Sequence, residues 1–371
     1  MTTPAHRETA CRIAVIPGDG IGLEVTREAV RVLEAASIRY GLRLAFTHFD
    51  LGADRWLERG VAMTDDEFAS LAGEHDAILL GALGDPRVPG NEHAREILLG
   101  LRTRLDLYIN YRPARVLHPA LSPLKGDAAA TIDLHIFREN TEGAYGGIGG
   151  RLAPGTENEV ATQTSLHTRR GVERIIRAAF DFARREARER VTMVDKANAM
   201  PHAGRLWRDT FEVIRADYPE ITGDHRYVDA MAMELVRRPE AYDVLVTDNL
   251  FGDILSDLAA QITGGLGAAA SANLHPGRHA LFEPVHGSAP DIAGTGAANP
   301  LGAIACAALV LEHAGSHAAA DAVERAITMS LDAGPRTPDF GGDATTEEVG
   351  AWIADEVARG DSAPPHAEAD R

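Results

Sequence analysis

The sequence predicts an α/β fold with a largely parallel sheet covered by helices. Three observations carry this. Short apolar runs alternate with longer stretches of helical spacing along most of the chain. The first run, RIAVIP (12–17), passes through the glycine-rich turn PGDGIG (17–22) into a helical pattern over 23–36, with Val25, Ala29, Val32, Leu33 and Ala36 on one face. The length, 371 residues, is enough for two or three domains at about 150 residues each, and no repeat is evident.

Strands are expected at 12–17, 42–48, 76–81, 106–111, 131–137, 191–195, 224–229, 243–247 and 280–283. Between them, apolar periodicity marks helices over 65–73, 91–103, 168–187, 201–216, 248–262, 298–313 and 317–332. Residues 143–165 are rich in Gly, Pro and Thr without helical pattern, and read as a loop or as an arm that pairs with another subunit. The polar, Pro-rich stretch 361–371 reads as a disordered tail.

Composition narrows the function. Lys and Arg number 37 against 55 Asp and Glu, a net charge of −18, which argues against a nucleic-acid partner. No run of 18 apolar residues is present, so no membrane-spanning helix is expected. MTTPAHRETACR lacks an apolar signal region, and Cys11 and Cys306 lie far apart with no metal-ligand spacing. A cytoplasmic enzyme or subunit is expected. GDGIG is not GxGxxG and reads equally well as a tight βα turn. No Walker A sequence is present, which disfavours P-loop phosphoryl transfer.

The strongest chemical signal is VLVTDNLFGDILSDLAAQIT (244–263). A helix capped by Asp248 or Asn249 places Asn249, Asp253 and Asp257 on one face. Carboxylates at i, i+4 repel, and a hard cation held by their oxygens reverses the sign. Asp229, in YVDAMAM (227–233), is expected at the end of an apolar strand as a third oxygen donor. The competing reading is a solvated acidic face. A second constellation holds Arg102, Arg112 and Arg138, which suit a di-acid because arginine pairs with carboxylates through two N–H groups. Arg104 and Arg115 read as solvated surface. Lys196 follows an apolar strand and is either structural or a base, and Tyr145 lies among glycines where a phenol can meet a ligand.

At these residues the sequence resembles the β-decarboxylating dehydrogenases, the isopropylmalate, isocitrate, homoisocitrate and tartrate/D-malate dehydrogenase family. The resemblance covers 11–358 and rests on IPGDGIGLEV (16–25), LRTRLDLYINYRPAR (101–115), RENTEGAY (138–145), VDKANAM (194–200), YVDAMAM (227–233), TDNLFGDILSDLAA (247–260) and FEPVHGSAPDIAGTGAANP (282–300). It implies a two-domain α/β subunit that is not a Rossmann fold, with a mixed, mainly parallel sheet. The large, cofactor-side domain is expected at 1–107 plus 265–371, and the inserted domain, for dimerisation and metal, at 108–264 with 143–165 as intersubunit arm.

The resemblance implies a homodimer with shared active sites. Arg102, Arg112 and Arg138 hold the malate carboxylates. Asp253 and Asp257 bind Mg²⁺ or Mn²⁺, joined by Asp229 from the other subunit. Lys196, also from the other subunit, takes the C2 hydroxyl proton, and Tyr145 protonates the carbon left by CO₂. The cofactor is NAD, through His286, Gly287, Ser288, Ala289, Asp291 and Asn299. Asp291 would bond a ribose 2′-hydroxyl and repel a 2′-phosphate.

The implied reaction is NAD- and metal-dependent oxidative decarboxylation of a 3-substituted malate. Leu98 and Leu99, four and three residues before Arg102, suit an apolar substituent, so 3-isopropylmalate leads. RENTEGAY resembles the tartrate, isocitrate and homoisocitrate members, and Arg95 lies seven residues before Arg102. Those substrates, D-malate, or a specialised malate with a distal carboxylate or phosphonate are the alternatives. A noncatalytic regulatory subunit on the same fold is the alternative of another class, with a Mg²⁺-dependent hydrolase behind it.

Overall fold

The computed structural model describes residues 10–125 and 131–360; the tail expected at 361–371 lies outside them. The opening expectation holds: β1 (Cys11–Gly18) turns into α1 (Gly22–Tyr40), which ends where Gly41 takes φ 64°. β2 (Leu44–His48), α2 (Ala53–Arg59), α3 (Asp65–Glu74) and β3 (Ala77–Ala82) follow. Thr64 and Glu67 close a reciprocal cap on α3.

The helix expected over 91–103 is not uniform. It comprises α4 (Glu92–Ala94), a π turn (Arg95–Leu99) and α5 (Gly100–Arg104). The next strand starts late, as β4 (Ile109–Arg115), because Asp106 takes φ 50° and turns the chain first. After β5 (Asp133–Glu139), the stretch at 143–165 contains an exposed hairpin of β6 (Gly149–Leu152) and β7 (Val160–Gln163).

α6 (Arg169–Arg185), β8 (Arg190–Asp195) and α7 (Pro201–Arg215) lie as expected. β9 (Thr222–Tyr227) is a polar edge strand, not an apolar one. It ends before Asp229, which stands in the first turn of a helix missed in the sequence, α8 (Val228–Arg237). β10 (Val244–Thr247) leads to α9 (Asn249–Thr263), with Asp248 as its cap. β11 (Ala270–His275) was also missed; it pairs with β12 (His279–Pro284). α10 (Leu301–His313), α11 (His317–Ala333) and α12 (Thr346–Arg359) complete the chain.

One ten-stranded sheet runs β2-β1-β3-β12-β11-β4-β5-β10-β8-β9. Both flanks are parallel, and the pairings β12–β11, β11–β4 and β4–β5 in the middle are antiparallel. The sheet is therefore mixed and mainly parallel. Strands β4, β5, β8, β9 and β10 all come from 108–264 and form one side of it.

Helices cover both faces. α1, α10, α11 and α12 bury Ile13, Val15, Leu79 and Phe282, and on the same face α6 and α7 bury Val191, Met193 and Val246. On the other face α3 and α5 cover Ile16 and Leu80, and α8 and α9 cover Ile136, Val194 and Leu245. Among the described residues no helix is long and apolar enough to cross a membrane.

Candidate active site

Strand alternation aims the arginines. In the antiparallel pair, Asn110 faces Arg138 and Arg112 faces Ile136. These four point to the α9 face, while Tyr111, His135 and Phe137 point to the other. α9 then lies directly on the Arg138 stem. A Cβ at Gly252 would come within 2.6 Å of it, so only glycine permits this approach.

Arg138 is 1% exposed. Its Nε and Nη2 donate to Asn249 Oδ1 at 2.9 and 2.7 Å, and Nη1 donates to Asp253. Tyr145 donates its phenolic O–H to Asp253 Oδ2 at 2.5 Å. Arg112 donates to Asp257 Oδ1 at 3.2 Å and to Ser256 Oγ at 3.3 Å. Arg102 donates to Glu283 Oε1 at 2.8 Å. The acidic ladder thus faces the arginine cluster, and a purely solvated acidic face is excluded.

The charges answer to this packing. Burial lowers Arg138 to about 10, with Arg102 and Arg112 adding repulsion against the opposing pull of Asp253. Burial works against the charge of Asp253, yet Arg138, the Tyr145 hydroxyl and Arg112 hold its carboxyl below the usual range. Asp257 is pushed up, first by burial and then by Asp253, with Arg112 opposing. Burial and the bond to Asp253 raise Tyr145, which keeps its proton at neutral pH.

Lys196 and Asp229 stand together elsewhere on the chain. Their Nζ–Oδ1 distance is 2.7 Å, and the ammonium lowers the Asp229 carboxyl. Among the described residues of one chain, no three His, Cys, Asp or Glu side chains gather where they can hold a metal ion. Asp253 and Asp257 offer carboxylate oxygens suited to a hard cation, and no third such side chain joins them among the described residues.

The 286–299 segment follows β12. His286 Nε2 is buried with no partner, its Nδ1 meets Gly287 O at 3.0 Å, and burial lowers its basicity. Ala289 takes φ 38°. Ser288 O accepts from Ile21 N at 2.9 Å, fastening the segment to the glycine turn. Asp291 is exposed. Asn299 is turned inward: its Nδ2 donates to Asp339 at 2.9 Å and its Oδ1 accepts from Leu301 N at 3.0 Å. A cleft of about 840 Å³ opens between residues 84–87 on one side and Pro290 with residues 293–296 on the other. That cleft and the orphaned His286 nitrogen fit a polar, extended cofactor.

Leu98 leans on the core of Ile97, Leu101 and Leu105, while Leu99 is half-buried outside it. Arg104 and Arg115 are exposed, as expected of solvated surface, and each also carries an ion pair there, with Asp65 and Glu324.

The sequence reading missed a buried polar chain behind the arginines. Asn273 donates to Glu283 at 2.8 Å and accepts from Asn110 and Asn140 at 3.0 and 2.9 Å; Asn110 also accepts from Arg112 at 3.1 Å. The available signal was a run of polar residues at alternate positions within apolar strands, Asn110 with Arg112 and Ser271 with Asn273. Within RENTEGAY, Arg138 and Tyr145 face Asp253 while Glu139 and Glu142 are architectural: Glu139 accepts from the Thr141 and Glu142 backbone at 3.0 and 2.6 Å, and Glu142 accepts from Thr168 N at 2.7 Å at the start of α6.

The isocitrate/isopropylmalate dehydrogenase family model matches residues 12–353. A 3-isopropylmalate dehydrogenase of Thermobifida fusca is 45% identical, covering 94% of this chain and 98% of its own. One of Streptomyces griseus is 47% identical, covering 93% and 98%. Among solved structures, isocitrate dehydrogenase from Methylococcus capsulatus is similar with a TM-score of 0.85 and 40% identity, covering 94% of this chain and 99% of that one.

Proposed function

Since the chain belongs to the isocitrate/isopropylmalate dehydrogenase family and is a decarboxylating hydroxy-acid dehydrogenase, we propose that it converts 3-isopropylmalate to a 2-oxo acid and CO₂ with NAD⁺. The carrying observation is the convergence of Arg102, Arg112 and Arg138 on the Asp253–Asp257 face of α9. Fixed guanidinium groups beside two carboxylates suit an anionic di-acid with a cation next to it. The names of the relatives above point to the isopropyl substituent, and Leu99 supplies an apolar surface for it.

The arginines bind and orient the two malate carboxylates. Lys196, in its neutral amine form and no longer the ammonium paired with Asp229, would accept the C2 hydroxyl proton as the C2 hydride leaves. Tyr145, protonated at rest, donates to the carbon that loses CO₂. Asp253, Asp257 and Asp229 would hold Mg²⁺ or Mn²⁺, which when bound supplies Lewis-acid stabilisation of negative charge on the substrate oxygen. His286, Gly287, Ser288, Ala289 and Asp291 would hold NAD, the hydride acceptor. Asp291 is free to meet a ribose hydroxyl, whereas the engaged amide of Asn299 suits it to shaping the segment.

The Lys196–Asp229 pair does not join the Asp253 cluster in one chain, which supports a homodimer whose sites draw Lys196 and Asp229 from the second copy. Exposed apolar side chains on α8 and α9, Met233, Val236, Leu250 and Ile254, support a subunit contact there. In this reading 108–264 is the inserted domain, 143–165 the intersubunit arm, and 1–107 with 265–371 the cofactor side. The setting is the cytoplasm.

Incubation of the enzyme with 3-isopropylmalate, NAD⁺ and Mg²⁺ or Mn²⁺ tests the proposal. Equimolar NADH and CO₂ are expected, and NADH without CO₂, or neither, would refute it. Arg95 carries a second reading. It is exposed and its guanidinium makes no hydrogen bond or ion pair among the described residues, which favours a substituent ending in an anion.

A further inference from the structure

The helical run 92–104, which carries Leu99 and Arg102, is tied at each end to an element that borders the segment assigned above to the cofactor: β12 before it, and the glycine turn packed against it. At its far end Arg102 donates to Glu283 at 2.8 Å, three residues before His286. At its near end His93, fully buried, places Nε2 2.7 Å from Asp19 Oδ2. Asp19 lies in the glycine turn after β1, and its carboxylate also accepts from Ala53 N at 2.6 Å and Gly84 N at 2.7 Å. The same turn is fastened to the cofactor segment by Ile21 N donating to Ser288 O at 2.9 Å. A Cβ at Gly20 would come within 2.1 Å of that carbonyl, so the close approach of turn and segment admits only glycine there.

We propose that His93 is a positioning residue that couples occupancy of the dinucleotide segment to the placement of the substrate-facing helix. The path is continuous: Ser288, the turn at Ile21, the Asp19 carboxylate, His93, then the helical run through its π turn to Leu99 and Arg102. His93 touches neither reactant; it acts by fixing the origin of this run relative to Asp19. A buried imidazole bonded to a buried carboxylate is a rigid link, and coupling between two sites is carried through such packed, hydrogen-bonded contacts. The inference rests on the cofactor and substrate assignments above.

The test separates the bond from mere packing. Glutamine places its amide where Nε2 lies and keeps the donor to Asp19; asparagine places it near Nδ1 and loses that reach. Initial velocities with NAD⁺ and 3-isopropylmalate give the dissociation constant of NAD⁺ and its Michaelis constant, whose ratio reports coupling. His93→Asn should bring this ratio at least threefold closer to one, and His93→Gln should retain the wild-type ratio. Titrating NADH with and without the hydroxy acid gives the same quantity for a variant that turns over slowly. An unchanged ratio in His93→Asn, or equal losses in both variants, would overturn the proposal. Absence of turnover in the unsubstituted enzyme would instead refute the substrate assignment.

Discussion

Tyr145 donates its phenolic hydrogen to Asp253 Oδ2 at 2.5 Å, so the phenol and the acidic ladder of α9 form one unit. The other oxygen of Asp253 is held by Arg138, which also grips Asn249 one turn earlier. Tyr145→Phe removes the proton donor while leaving Arg138 in place. It should lower kcat about 100-fold, the usual worth of a positioned acid, with a smaller effect on KM. Pre-steady-state NADH formation should survive better than CO₂-linked turnover, and equal loss of both would show that Tyr145 does not act after hydride transfer.

Asp257 is the more exposed of the two ladder carboxylates, with burial and Asp253 already working against its charge. Asp257→Asn should raise the concentration of Mg²⁺ or Mn²⁺ needed for half-maximal rate by about tenfold or more. A chelator should abolish turnover of the parent enzyme, and added metal should restore it. A metal-independent rate in either protein would remove the ladder from the mechanism.

The apolar wall can be divided by substitution. Leu98 packs on the core and Leu99 does not. Leu98→Ala should destabilise the fold by about 2 kcal/mol. Leu99→Ala should leave the unfolding midpoint nearly unchanged and raise KM for 3-isopropylmalate. Thermal unfolding beside steady-state kinetics distinguishes the two.

Away from the site, Glu28 on α1 lies against Gly350 of α12, and burial raises its carboxyl to about 7 despite the opposing Arg31. The protonated form is the stabilising one. Its contribution is full below the ordinary value of 4.5 and is lost as the pH rises through about 7. Glu28→Gln should therefore raise the melting temperature relative to the parent at pH 8, by a stability gain of about 1 kcal/mol or more, and give little gain at pH 5. Scanning calorimetry at the two pH values measures this.

The sequence disclosed the parts of this molecule that obey a period. β1, α1, β3 and α9 were legible because their apolar spacing survives in the fold, and Asp248 caps α9 as its position suggested. β9 was expected two residues too late, at 224–229, and α8 was missed, because an edge strand need not be apolar and its polar pattern hid the junction before Asp229. β11, ASANLH, does alternate, but its apolar positions include two alanines, a weak signal, and its polar ones, Ser271 and Asn273, are buried to serve the polar chain to Glu283 instead of facing solvent. The π turn at Arg95–Leu99 has no signature in residue spacing, so Leu98 and Leu99 read as equivalent when only one is free. Arg102, Arg112 and Arg138 were named from the sequence, but the groups that hold them are distant in the chain, as Glu283 is from Arg102.

The most direct test is kcat/KM for NADH formation, with Mg²⁺ or Mn²⁺, across a panel of hydroxy acids. It comprises 3-isopropylmalate, D-malate, tartrate, isocitrate, homoisocitrate and a phosphonomethyl malate, each with NAD⁺ and NADP⁺. The account predicts that 3-isopropylmalate with NAD⁺ exceeds every other combination by at least about tenfold, the worth of a well-fitted apolar group. Preference for an isocitrate-like or phosphonate substituent would contradict it and move recognition from Leu99 to Arg95.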